Sequence, residues 1–159
     1  TVYRNGDAIP NVIDPVEWVN TNTGALSSFN NDESLVSELG RHYNRFAVLD
    51  NRGLCPVGWH VPTDEEWMEL ESFAGVPAIE LNYSGYRGEL QNAGAAMKSA
   101  SWGGSNLTGF SGTPAGWRNV GDGSFSNLNS LSLYWSSGYY ARILETNQSG
   151  VSRSGINDR

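Results

Sequence analysis

The chain has 159 residues and a net charge of −7, with only 17% of residues charged and glycine and proline plentiful at 19 and 6. That length suits one domain with a real core, and 10 scattered Lys and Arg give no basic footprint for nucleic acid. No run approaches the roughly 18 apolar residues of a membrane span, and the composition fits a loop-rich, aromatic-burying domain rather than a helical bundle.

Residues 2–4 read as a short strand meeting a turn at Asn5, Gly6 and Asp7, because Asn-Gly tolerates positive φ. Residues 9–13 are expected to pair back, with Pro10 confining them to an edge or a bulge. The polar stretch 18–33 reads as surface loop, and Asn31, Asp32 and Glu33 alone make a poor calcium cage. Within 34–48, Leu35 and Leu39 fit a helix, and the second half, 43–48, is assigned to strand. His42 and His60 have no second histidine or cysteine at a ligand spacing, so both read as structural and no metal is expected.

The stretch 53–67 holds the single cysteine and the clearest helix start. Cys55 lies between Leu54 and Pro56, which fits either an inert buried thiol or half of a disulfide. Thr63 and Glu66 have capping-box spacing, and Asp64, Glu65 and Glu66 put negative charge at the positive end of the helix dipole. Pro62 keeps Val61 extended. Trp67, Leu70 and Ala74, flanked by Met68 and Phe73, form an apolar stripe at helical spacing. The whole stretch is expected to be a buried extended segment running into an amphipathic helix, with Trp59 and Trp67 in the core.

Residues 75–88 turn, and 95–98 form a short helix or strand. A strand, tight turn and second strand are expected over 109–118, then a hairpin turn at 119–124 with Phe125 resuming an extended segment. Residues 131–137 alternate, placing Leu131, Leu133 and Trp135 on one face. Strands at 140–144 and 151–154, joined by a turn at 147–150, complete an antiparallel meander.

Little here suggests catalysis. There is no Gly-x-Ser-x-Gly elbow and no phosphate-cradling loop with its helix and lysine. Capping accounts for the carboxylates at 64–66. Neither a catalytic residue nor a cofactor is therefore expected. The surplus of aromatics has two readings. Trp102, Trp117, Tyr139 and Tyr140 in the loop-rich half are candidates to stack on pyranose rings, with Asp122 in the same loops as a polar candidate. The alternative is that tryptophans fill a core poor in aliphatic helices, the reading favoured for Trp59, Trp67 and Trp135. Sequons at Asn82, Asn106 and Asn147 mark surface turns.

The motifs Tyr-Arg-Asn-Gly-Asp-Ala-Ile-Pro at 3–10, Asn-Asn-Asp-Glu-Ser at 30–34, Tyr-Asn at 43–44 and Gly-Leu-Cys-Pro-Val-Gly-Trp-His-Val-Pro-Thr-Asp-Glu-Glu-Trp at 53–67 come in a characteristic order. They are followed by Ser-Gly-Thr-Pro-Ala-Gly-Trp-Arg at 111–118 and Tyr-Trp-Ser-Ser at 134–137. Together they resemble the Fibrobacter succinogenes major paralogous domain over essentially the whole chain. The resemblance implies an α+β, C-type-lectin-like single domain spanning 1–159, related to formylglycine-generating enzymes, with a small twisted antiparallel sheet, one or two helices and long loops. It also implies that the chain starts after the family's first strand and stops before its last, which carries the natural partner of Cys55. The copper-binding cysteine pair of formylglycine-generating enzymes and the calcium triplets of true C-type lectins are missing, and fold alone does not carry function across.

The expectation is an extracellular or cell-surface binding or adhesion module of a bacterial protein, not an enzyme, taking a protein or glycan ligand. The alternative is a filament subunit that self-associates by strand addition at an open sheet edge.

Overall fold

The computed structural model describes residues 1–155. In chain order they form α1 (Pro15–Asn20), β1 (Leu26–Ser27), α2 (Val36–Leu39), β2 (His42–Tyr43), α3 (Arg45–Val48), α4 (Asp64–Phe73), β3 (Gly85–Arg87), α5 (Ala93–Met97), β4 (Trp117–Arg118), β5 (Phe125–Ser126), β6 (Leu131–Tyr134), β7 (Tyr140–Glu145) and β8 (Val151–Gly155). Short 3-10 turns occur at Phe29–Asn31, Glu33–Leu35 and Ala100–Trp102. The class is α+β, with short helices and antiparallel sheets. No helix among the described residues is long and apolar enough to cross a membrane. The expected stop before the family's last strand falls outside the described residues.

Two compact units divide the described residues, one from 1–61 and 117–126, the other from 62–116 and 127–155. In the first unit the Asn5–Gly6 turn is present: Tyr3 N–H donates to the Asp7 carbonyl at 2.8 Å, and Gly6 has φ 94°. Val2 bridges Ala8, while Asn11 bridges Leu26 in parallel, so residues 9–13 pair back only at their start. The polar stretch after Trp18 is not simply surface loop. Trp18 is buried in α1, and 24–29 is buried throughout, because β1 pairs with β2 there. The strand expected over 43–48 is also corrected. Only His42–Tyr43 is strand, and Arg45–Val48 is helical because the buried Asn44 caps it. Its Oδ1 accepts from Ala47 N–H and Ala25 N–H, both at 2.9 Å, and its Nδ2 donates to the Thr23 carbonyl at 2.8 Å. A side chain that satisfies three backbone groups in the interior overrides local strand preference.

Arg118 braces the same unit. It is buried and donates through Nε to the Gly123 carbonyl at 3.0 Å and through its terminal nitrogens to the carbonyls of Val12 and Ile13 at 2.5 and 3.2 Å. Its guanidinium lies 4.2 Å from the Trp18 ring centroid and 4.8 Å from that of Phe125. Burial pushes its pKa down to about 10, and the ring of carbonyls replaces the water it loses. The expected hairpin at 119–124 joins β4 to β5, with Asn119 N–H donating to the Ser124 carbonyl at 2.8 Å.

In the second unit the sheet order is β3-β8-β7-β6, all antiparallel, so the expected meander is present and β3 adds to its far side. Helix α4 begins with the full capping box of Thr63 and Glu66. Trp67 packs with Ala74, Val76, Ala93, Ala96, Met97, Trp102, Leu144 and Val151. Each fully buried large side chain contributes roughly 1.5–3 kcal/mol, so this cluster dominates over the short strand ladders. The β6 strand presents the opposite face from the one expected. Ser132 is buried and Tyr134 packs on the core against Trp67 and Phe110, while Leu131, Leu133 and Trp135 are half-buried. The ring stack of Trp67, Phe110 and Tyr134, with centroids 5.0–6.0 Å apart, selects that face.

Candidate functional site

Residues 56–60 are exposed and 53–55 half-buried, rather than buried as expected. Trp59 is 73% exposed and Val57 83%. The reason is a turn whose backbone is held from far upstream: Arg4 Nε donates to the Cys55 carbonyl at 3.0 Å, and its terminal nitrogen donates to the Trp59 carbonyl at 2.8 Å. Trp59 therefore does not fill a core. Cys55 is half-buried with a free thiol, and burial pushes its pKa up, so the reactive thiolate is disfavoured.

The ligand-binding candidates from the sequence separate. Trp102 is buried, its Nε1 donating to Thr146 Oγ1 at 2.9 Å, so its ring is a core element and offers no face to a ligand. Trp117 is half-buried in β4. Asp122 is exposed on the hairpin turn, where its Oδ1 accepts from the Ser124 hydroxyl at 2.6 Å and the Ser124 N–H at 2.9 Å. Those hydrogen bonds hold its carboxyl below the usual range. Trp117 and Asp122 belong to the first unit, and Trp102, Tyr139 and Tyr140 to the second. A small open groove of about 140 Å³ in the first unit is lined by Trp18, Val19, Thr21, Asn44, Phe46 and Val120. That is well under the roughly 300 Å³ of an ordinary ligand pocket.

Tyr139 and Tyr140 do come together. Their ring centroids are 5.1 Å apart and the planes meet at 80°. Tyr139 is 54% exposed. Its ring lies directly over Gly155, where a Cβ would come within 2.6 Å of it. Tyr140 is stacked on Arg153, whose guanidinium carbon is 3.3 Å from the ring centroid. The loop ahead of the pair is tied down: Ser136 Oγ donates to the Tyr140 carbonyl, and Ser137 N–H donates to the Pro62 carbonyl at 2.8 Å.

Beneath this corner runs a ladder of buried charges that the sequence reading missed. Arg153 donates from Nε and a terminal nitrogen to Asp64 at 3.1 and 2.6 Å, and from its other nitrogen to the Asn82 carbonyl at 3.0 Å. Asp64 also meets Arg142 at 2.7 Å. Glu71 Oε1 accepts from Arg142 Nε and from Arg87, both at 2.6 Å. Burial alone would raise the Asp64 carboxyl, but hydrogen bonds from Arg153 and Arg142 outweigh it and hold the group below the usual range. Burial pushes Arg87 the other way, down. A signal for the ladder was present in the sequence. Glu71 sits one turn after Trp67 on the buried face of α4, and Arg142 interrupts the apolar pattern of β7. Buried ionic groups at such positions need partners. The acid at 64 thus does more than favour the helix dipole: it ties α4 to two strands.

Residues 1–155 match the family model described as the Fibrobacter succinogenes major domain, and the chain belongs to that family. No curated protein and no solved structure matches it.

Proposed function

We propose that the chain is a non-catalytic, extracellular or cell-surface binding or adhesion module with a C-type-lectin-like arrangement, in which loops are presented on a rigid frame. The observation that carries this reading is the Tyr139–Tyr140 corner, with Tyr139 exposed and Tyr140 fixed over the Arg153–Asp64 pair. Aromatic side chains held in place before a ligand arrives lose little conformational entropy on binding. The non-catalytic part is supported by the engagement of the buried acids in structural ion pairs and by a Cys55 thiol kept protonated. A second reading, self-association through a sheet edge, is favoured by the terminal position of β3 in its sheet.

The test is an array carrying glycans in one half and extracellular and cell-surface proteins in the other, run beside native gels. Binding to features in either half supports the module. Silence in both halves overturns it, and a ladder of self-associated species on the gel then favours assembly.

A further inference from the structure

We infer that the Tyr139–Tyr140 corner is a stacking site for the apolar face of a neutral, β-linked pyranose. This rests on the binding-module reading and gives it a ligand class. The geometry supplies one exposed aromatic plane, Tyr139, that needs no rearrangement: Gly155 seats its ring, and Tyr140, itself held by Arg153, braces it at 80°. Three alternative ligand classes fit the corner less well. A cation stacked on Tyr140 would face a ring that already carries a guanidinium at 3.3 Å, so the quadrupole attraction is spent and like charges oppose each other. An anion finds no free donor fork, since all three nitrogens of Arg153 are committed to Asp64 and the Asn82 carbonyl. The net charge of −7 repels it further. A large apolar peptide face needs a groove lined by apolar side chains, and the corner is a half-exposed tyrosine ring beside the exposed, polar Ser137.

A neutral ring with C–H bonds on its flat faces and hydroxyls at its rim matches what remains. In β-linked gluco-configured chains the ring substituents are equatorial, which leaves both faces apolar for stacking while the rim hydroxyls reach flanking polar groups such as Ser137.

The experiment is isothermal titration of the intact protein with cellohexaose, maltohexaose and polygalacturonate, using native, Tyr139→Ala and Tyr139→Phe forms, with circular dichroism as the fold control. Binding of cellohexaose is expected, weakened at least about fivefold by Tyr139→Ala, since an aromatic stacking contact is worth ~1 kcal/mol. Tyr139→Phe should leave it within about twofold, as it keeps the ring face. A preference for maltohexaose or polygalacturonate, or cellohexaose binding unmoved by a folded Tyr139→Ala, overturns the assignment. So does silence toward all three saccharides. If that silence is joined by binding in the protein half of the array, the module stands with a protein ligand; if both halves are silent, the module reading falls as well.

Discussion

At the scale of single residues, Glu71 ties together two buried arginines of the second unit. One of its oxygens serves two guanidiniums, and all three side chains are at most 1% exposed. Glu71→Ala leaves Arg87 and Arg142 buried beside each other, and removing one partner of such a cluster costs about 3–5 kcal/mol. Urea denaturation should show that loss as a lower midpoint. Asp64 gives the ladder its pH dependence. Its carboxyl is held below the usual range in the folded protein, so the unfolded chain binds that proton more readily. The stability it contributes is complete above the unfolded carboxylate pKa of about 3.9 and is lost as pH falls through the lower folded value. Urea midpoints taken from about pH 6 to about pH 2 should therefore fall in the native protein and fall less steeply in Asp64→Asn. The residue pattern of the ladder was legible only in part. An arginine in a strand and a glutamate on an apolar helix face announce that partners exist, but the pairing joins positions 71 residues apart in sequence.

At the scale of elements, α5 illustrates how close approach fixes a residue type. Gly94 is buried, its N–H donates to the Ser149 carbonyl at 2.7 Å, and a Cβ there would run into the Gly150 carbonyl. Backbone cannot yield as a flexible side chain does, so Gly94→Ala should destabilise by about 3 kcal/mol. Gly103, with φ 77° and open space around it, provides the contrast. Gly103→Ala meets only the left-handed backbone penalty of about 1 kcal/mol. Thermal melts of the two variants should rank in that order, and an equal shift would mean that the α5–turn contact is looser than described. Helix α4 was readable from its capping box and apolar stripe because both signals are local. Helix α3 was not, since its cap Asn44 owes its position to Thr23 and Ala25 on another segment.

At the scale of the molecule, protection should follow position in the sheet. Strands β7 and β8 are paired on both sides, whereas β3 lies at an edge. Amides of β7 and β8 should exchange slowest with solvent and those of 57–60 fastest, where Val57 and Trp59 are exposed. Hydrogen exchange read by mass spectrometry checks this directly, and slow exchange across 57–60 would contradict the exposed turn. Family membership was legible at this scale as well, because it lies in the order of motifs along the chain. The separation of the candidate site was not: Trp102, Trp117, Asp122, Tyr139 and Tyr140 look alike as loop residues until packing sorts them.

The sequence by itself determined the family, the α+β class, the capped helix at α4, the Asn5 turn and the meander of β6, β7 and β8. Each rests on periodicity, turn chemistry or motif order, which act over a few residues or along the chain. Only the tertiary structure decided that Trp59 stands out on a turn held by Arg4, that Trp102 is core and that β6 turns its tyrosine inward. It also decided that Asp64 and Glu71 hold three arginines beneath the tyrosine corner. Burial and ion pairing are properties of which distant segments meet, and the direction a side chain faces is set by its partner rather than by its own neighbours in sequence.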